Sequence, residues 1–433
     1  MASGLRGMGG AAGRRRPEAS AMQGTALLFV SSIAMTLGFC RGIFDLYGAQ
    51  IFGYLLQYAS LGILALTAFW RAVVLRERLP PASQAQVAVA CAFLMLVCIS
   101  WAFTVLRTGQ WEGVVYVGVM TFWTFYIVAM GVGGGLFTTF PLEKVLALPL
   151  LANVAIGILE QSRGLGMPGS SVYEQVVRPA GLTGSMQHYA IALAIGSLYY
   201  LEVFRSARRG TYAAASLVLL FGAAASLTRS AYLIIAVALA LLFLRGAIRS
   251  LLRRKLVRVR LSPLVVGCLL VLLVSAVAAK RLPPFWERAT TMLHAGSPGN
   301  AERLAAWRVG LQRWLEGPVV VGDAVGVVTQ STAKVFGDVE TVNVESGLFQ
   351  QLVNFGLLGT FAFYGMLLVG IWGVDRRHGV LRAAMSASIL QSVVYMSIET
   401  VPYMLLLGLG PALSRRLLHV ERQALAGIGV REM

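Results

Sequence analysis

Long uncharged apolar runs, broken by clusters of arginine and lysine, constrain this chain more than any other feature of its sequence. Between 261 and 279, nineteen consecutive residues carry no charged side chain. Several other runs approach that length, and about 20 apolar residues are what an α-helix needs to cross the hydrocarbon of a bilayer. A segment in lipid must satisfy its own backbone N–H and C=O groups, which leaves helices or closed barrels. The period-two alternation of barrel strands is absent. Composition agrees: with 57% hydrophobic and 13% charged residues, too few polar side chains exist to cover soluble domains. The fold class is an all-α polytopic membrane protein.

Reading apolar runs between charge clusters predicts about twelve spans, near 24–40, 48–70, 84–105, 112–131, 144–160, 185–204, 212–227, 230–244, 263–279, 347–373, 379–398 and 401–413. They follow a basic arm over 1–20 that contains Arg14, Arg15 and Arg16 and reads as disordered. No small-residue cleavage site closes the apolar stretch 25–40, so the first span reads as retained. Spans one to nine occupy 21–279 with an outer loop at 161–184; a large outer loop follows at 280–346, then spans ten to twelve over 347–413 and a tail over 414–433. Orientation follows from Lys and Arg, which stay on the cytoplasmic side. With the amino terminus inside, the inner segments hold 25 Lys plus Arg and 7 Asp plus Glu, and the outer ones 12 and 12. The net charge of +18 (25 minus 7) then lies wholly on the cytoplasmic face, with both termini cytoplasmic, and the expected location is a bacterial inner membrane.

Charge also settles the run 212–244, interrupted only by Thr228, Arg229 and Ser230. Arg205, Arg208 and Arg209 precede it, and a basic cluster from Arg245 to Arg260 follows it. Both ends belong inside, so the chain crosses twice and Arg229 stands at an outer turn. The basic cluster reads as an anchor to anionic membrane lipid rather than a nucleic-acid contact. Cys40, Cys91, Cys98 and Cys268 all fall in or at the ends of apolar runs and read as buried hydrophobes. The chain has no glycine-rich nucleotide loop, no Asp-x-Asp pair, no Ser/His/Asp arrangement and no His-Glu-x-x-His. This argues against nucleotide-sugar, ATP and metal-dependent chemistry, so neither a cofactor nor a metal is expected.

Two outer segments exceed mere connectors, and loops of such length are usually functional. The larger one carries Trp286, Trp307 and Trp314 and a helical pattern over 301–315, where Leu304, Trp307, Leu311 and Leu315 recur at helical spacing. That pattern predicts an amphipathic helix lying along the membrane surface. Four ionisable residues stand out on the outer side: Arg178, Arg229, Arg303 and Glu345. A single arginine there can be an interfacial anchor. Three on one face suit phosphate, because a guanidinium stays charged and binds two oxygens at once. Glu345 sits between polar residues and the apolar start of a span, a boundary at which a carboxylate can serve as a general base; a salt bridge to an outer arginine is the alternative. Glu399, Asp323 and His188 are weaker candidates: a helix-end carboxylate, a turn residue beside Gly322, and an interfacial histidine or acceptor contact.

Over roughly residues 175 to 375 the sequence resembles the O-antigen polymerase and O-antigen ligase superfamily. The pieces are Arg178-Pro179-Ala180-Gly181-Leu182-Thr183-Gly184, Ser226-Leu227-Thr228-Arg229-Ser230, Arg303 through Trp307 followed by Gly317-Pro318 and Gly322, and Glu345-Ser346-Gly347-Leu348 ending in Asn354-Phe355-Gly356-Leu357-Leu358-Gly359. The early spans match only in hydropathy. The resemblance implies a GT-C-like fold and an inverting, metal-independent transfer from an undecaprenyl-pyrophosphate-linked oligosaccharide. Arg178 and Arg229 would bind the pyrophosphate and Arg303 assist; Glu345 would act as base, and His188 and Trp307 would contact substrate. A chain-length regulator and a flippase would be partners. Ligases of the superfamily carry His-Asn where this chain has Glu345-Ser346, eleven residues before Gly356. That departure favours a polymerase over a ligase. A lipid-linked oligosaccharide flippase is the non-enzymatic alternative, although transporters place their sites near the bilayer midplane, where these spans carry almost no charge. A rod-shape type peptidoglycan polymerase would need its aspartate in a matching loop, for which only Asp323 is available.

Overall fold

In the computed structural model, residues 29–74, 81–138, 140–173, 176–252, 298–329, 332 and 344–429 are described. The helices are α1 (Phe29–Cys40), α2 (Gly42–Leu46), α3 (Gln50–Val74), α4 (Pro81–Thr108), α5 (Val114–Val132), α6 (Leu142–Arg163), α7 (Met186–Ala207), α8 (Gly210–Ala225), α9 (Arg229–Leu252), α10 (Pro298–Glu316), α11 (Gly347–Trp372), α12 (Gly379–Val394) and α13 (Val401–Gly429). Among the described residues, β1 (Ser171–Tyr173) and β2 (Val176–Arg178) form a two-stranded antiparallel hairpin in the first outer loop. Helices lie over eleven of the twelve expected spans; the ninth, the basic arm and parts of the large outer loop fall outside the described residues. Among the described residues, seven helices are long and apolar enough to cross a membrane, and α1, α8 and α12 are shorter apolar helices. The protein is an all-α polytopic membrane protein.

Helix α7 is the centre of the bundle, contacting α8, α9, α12 and α13, and 78% of its apolar window is buried against 17% for α9. Trp123, Tyr116 and Tyr126 on α5, Tyr199 on α7 and Tyr403 on α13 are enclosed in the bundle. Large apolar side chains such as Ile51, Leu55, Leu66, Phe69 and Trp70 on α3 are exposed in the isolated chain, as lipid-facing residues must be. Lipid tails are as apolar as leucine, so helices associate there through close packing and hydrogen bonds rather than through exclusion of water.

Ion pairs sort into two ends. At one end Arg416 meets Glu143 at 3.3 Å, Arg205 meets Glu202 at 3.3 Å and His378 lies 3.6 Å from Glu421. At the other, Arg41 pairs with Asp45 at 3.2 Å, Arg107 with Asp323, and Arg303 with Glu345 at 3.2 Å. These are the inner and outer sets read from charge, and no ion pair among the described residues joins one set to the other. Glu202 also accepts from the N–H groups of Val380 and Leu381 (2.6 and 3.1 Å), capping the start of α12. His378 Nδ1 lies 2.8 Å from Ser414 Oγ, which already accepts from the Asp375 N–H at 3.0 Å. With Ser414 and His378 both 1% exposed, this group is a joint between helices rather than a nucleophile.

The Gly356 motif is explained by a break in α11. Gly356 has φ 65° and ψ −167°, a region open essentially only to glycine. The break frees the N–H groups of Leu357 and Leu358, which donate to the carbonyls of Val319 (2.9 Å) and Val320 (3.1 Å). Asn354 Oδ1 accepts from the Gly326 N–H at 2.7 Å, so the break docks residues 318–326 of the large loop onto the bundle. A Cβ on Gly356 would lie 2.4 Å from Val320 C and Val321 N. Gly356→Ala should therefore cost on the order of 3 kcal/mol. It should lower the melting temperature in detergent clearly; an alanine variant that melts with the parent would disprove this account.

Helix α10 corrects one expectation. Sequence spacing placed Trp307 on a single stripe with Leu304, Leu311 and Leu315. The helix carries two stripes about a quarter turn apart. Trp307, Gly310 and Trp314 face the protein: Trp307 packs 6.3 Å from the Phe349 ring, Gly310 faces Val344 and Phe349, and Trp314 joins Ala324, Val328, Val344 and Val353. Leu304, Leu311 and Leu315 remain exposed.

Candidate functional site

Arg178 ends β2, with Ser171 opposite it in the hairpin. Its guanidinium donates to Ser171 Oγ and Thr228 Oγ1, both at 3.4 Å. The loop that carries it is moored to the outer end of α6. Glu160, 3% exposed, accepts from the N–H groups of Gly181 (2.6 Å), Ala180 (3.2 Å) and Met167 (3.2 Å). Asn153 Oδ1 accepts from the Leu182 N–H at 2.8 Å. Three N–H donors converging on one buried carboxylate are charge-assisted bonds, stronger than neutral ones.

Arg229 is the first residue of α9. The three residues between α8 and α9 turn tightly, with Leu227 at φ 52°, the Thr228 N–H donating to Ser226 Oγ at 3.2 Å and Ser226 Oγ donating to the Ala223 carbonyl at 2.6 Å. The run 212–244 is thus two helices, as charge required. Arg229 is 5% exposed and donates to Asn300 Oδ1 on α10. Gln161 fastens the two arginine-bearing segments together, donating to the carbonyls of Val177 (3.1 Å) and Ala225 (2.7 Å).

One helical turn after Asn300, Arg303 pairs with Glu345, and its guanidinium carbon sits 4.7 Å from the centre of the Tyr395 ring. Glu345 has φ 48°, an uncommon conformation for a residue with a Cβ. Its neighbours explain how it is held. Val344 is completely buried; Ser346 caps α11 by accepting from the Phe349 N–H at 3.3 Å and donates to the Val393 carbonyl at 2.6 Å. Pinned on both sides, the backbone turns the carboxylate out toward Arg303.

The structure thus brings Arg178, Arg229, Arg303 and Glu345 into one row, linked through Thr228 and Asn300. His188 is half-buried on the first turn of α7, just after the Arg178 loop. Trp307 lies beside the row, packed against the protein. Asp323 is engaged with Arg107 at the end of α4, and Glu399 accepts from Gln350 Nε2. Sequence reading missed Glu160, Gln161, Asn300 and Tyr395. Glu160 carried the one usable signal: a carboxylate near the end of an apolar span is a functional candidate by default.

Glu160→Gln tests the mooring. A glutamine presents an NH2 where a backbone N–H already points, so donor meets donor and the Arg178 loop should loosen. We expect faster proteolysis of residues 164–185 in spheroplasts and activity lower by about 10- to 100-fold. Unchanged cleavage with full activity would show that the loop holds itself.

Residues 214–364 match the family model described as O-antigen ligase. That stretch begins in α8 and ends within α11; it holds Arg229, Arg303, Trp307 and Glu345, whereas Arg178 and His188 precede it. No curated protein matches the chain.

Proposed function

The chain belongs to the O-antigen ligase and polymerase superfamily, whose members act on lipid-linked sugars, and from that premise we propose that it polymerises undecaprenyl-pyrophosphate-linked oligosaccharide repeat units. The row from Arg178 through Arg229 and Arg303 to Glu345 carries this reading. In it, an acceptor hydroxyl oxygen attacks the anomeric carbon of the donor sugar with inversion. The bond from that carbon to the pyrophosphate oxygen breaks, and undecaprenyl pyrophosphate departs. Glu345 takes the hydroxyl proton. Departure builds negative charge on the leaving oxygen, which fixed guanidinium groups in a water-poor site stabilise more in the transition state than in the ground state. Arg178 and Arg229 hold the pyrophosphate and Arg303 positions Glu345 beside it.

We place this row on the periplasmic face of the inner membrane, with both termini cytoplasmic, because that orientation puts the excess Lys and Arg inside. The exposed leucines of α10 then lie in the interface, at the depth of a lipid pyrophosphate. A flippase would supply the repeat unit, and a chain-length regulator would set the product length. The polymer would be an O-antigen, capsule or exopolysaccharide.

The second reading is an O-antigen ligase, favoured by the description of the matching family; Glu345 in place of the ligases' histidine favours the polymerase. Reconstitution separates them. Purified protein given only its lipid-linked repeat unit should yield a ladder of longer lipid-linked chains. A single conjugate, formed only after lipid A core is added, would establish the ligase instead.

A further inference from the structure

On the two turns of α11 below Glu345, Gln350, Gln351 and Asn354 are completely buried. Polar side chains in an apolar interior are retained when their hydrogen bonds are made. Asn354 makes its own: Oδ1 accepts from Gly326, and Nδ2 donates to the Gln350 carbonyl at 2.6 Å. The glutamines are only half engaged. Gln350 Nε2 donates to Glu399 Oε1 and Gln351 Nε2 donates to the Tyr116 hydroxyl at 2.8 Å, while Oε1 of each meets no donor among the described residues. A third glutamine repeats the pattern. Gln391, completely buried in the last turn of α12, donates to Ser397 Oγ at 2.8 Å, and its Oε1 also meets no donor among the described residues.

All three buried oxygens are acceptors; Gln350 and Gln391 engage one segment, residues 395–400, through Glu399 and Ser397, Gln351 follows Gln350 on α11, and the Glu399 carboxylate is itself an acceptor. The orientation of Gln350 follows from chemistry, since an ionised carboxylate can only accept. The same segment serves the row above it: the Tyr395 ring lies under Arg303, and the Tyr395 carbonyl accepts the Gly347 N–H at 3.3 Å. A region rich in acceptors and short of donors suits a ligand that brings several O–H groups. Each Oε1 is desolvated with no donor among the described residues to offset it, a cost that the one Nε2 bond of the same amide only partly balances.

We propose that Gln350, Gln351, Gln391 and Glu399 form a binding site for the hydroxyl groups of a neutral sugar, reached from beside Glu345. Resting on the function proposed above, that sugar is the acceptor end of the growing glycan, held so that its reactive hydroxyl faces Glu345. The arginines then grip the donor, and the glutamines grip the acceptor.

Methionine matches glutamine in length and lacks its polar atoms, so Gln350→Met, Gln351→Met and Gln391→Met each remove the unmatched oxygen together with one Nε2 hydrogen bond. Each variant, and the parent, is melted in detergent with and without the repeat-unit oligosaccharide freed from its lipid, and binding of undecaprenyl pyrophosphate is measured separately. We expect variants that fold with unchanged undecaprenyl pyrophosphate binding, Gln351→Met and Gln391→Met losing about one neutral hydrogen bond, roughly a few degrees of melting temperature, and Gln350→Met more because its partner is a carboxylate. The oligosaccharide should raise the melting temperature of the parent only, and glycan transfer should fall by about ten-fold or more. A melting temperature in Gln351→Met and Gln391→Met that falls well beyond one lost hydrogen bond, together with transfer, would mean a packing role. Stable variants with parental oligosaccharide response and transfer would mean that the oxygens serve buried water. Lost undecaprenyl pyrophosphate binding would move the site to the donor. Each of these overturns the proposal. A parent that binds the oligosaccharide yet forms no glycan product would instead overturn the proposed polymerase and leave the sugar site standing.

Discussion

Arg229→Ala should abolish glycan synthesis, lowering transfer by at least about a hundred-fold, while the protein remains inserted in the membrane. The position argues against a role in stability. A helix N-terminus carries partial positive charge, so a cation at its first residue is disfavoured by a few tenths of a kcal/mol or more. Arg229 is nonetheless placed there, buried, at the head of a 24-residue helix. The pyrophosphate binding proposed for this residue would account for a cation held there at a cost to the fold. Arg229→Lys keeps the charge and loses the planar fork, so it should recover part of the activity. Arg178→Ala should match Arg229→Ala, and the double variant should fall little further, because groups that act on one leaving phosphate are not additive. The measurement is the glycan ladder in a host strain that lacks its own copy of the protein, set against the amount of protein in the membrane fraction. Full-length polymer from Arg229→Ala would remove phosphate binding from this residue. Loss of the protein from membranes would reassign it to folding.

Much of this arrangement is legible in the sequence because lipid imposes a simple rule. Runs without charge become helices, and counting Lys and Arg sorted the ends into the two sets that the ion pairs respect. The same counting split 212–244 at Arg229, where Leu227 breaks the helix. What escaped depends on contacts between segments distant in the chain. Glu160 looks like an ordinary outer charge until the N–H groups of Ala180 and Gly181 are seen to converge on it. The break at Gly356 lies in an uncharged run that reads as one span, and its cause, the backbone of residues 319–322, is supplied by another loop. Trp307 shares helical spacing with Leu304 and Leu311, yet a quarter turn separates packing against protein from exposure. Glu345 was readable as a base or as an ion-pair partner, and the geometry adds the second without removing the first.

Glu345→Gln separates those two roles. Glutamine has the same shape and can occupy the same left-handed backbone, so the turn before α11 should survive. The ion pair it removes is partly solvated, with Arg303 and Glu345 side chains 26% and 38% exposed, and such pairs contribute about 0–1 kcal/mol. The melting temperature should therefore hardly move. Transfer should nevertheless fall by roughly 10²- to 10⁴-fold, the usual contribution of a positioned base, with undecaprenyl pyrophosphate binding retained. Arg303 provides the internal comparison. If Glu345 serves only to anchor that guanidinium, Arg303→Gln and Glu345→Gln should be equally impaired, each losing the same pair. If Glu345 accepts the proton, Arg303→Gln should keep more activity than Glu345→Gln, since the base survives with its orientation relaxed. Arg303→Lys, which preserves charge beside the carboxylate, should keep more still. Equal loss in all three would point to the guanidinium fork of Arg303 on the substrate phosphate. Normal chain synthesis by Glu345→Gln would leave the carboxylate a purely structural part and send the search for the base to Glu399.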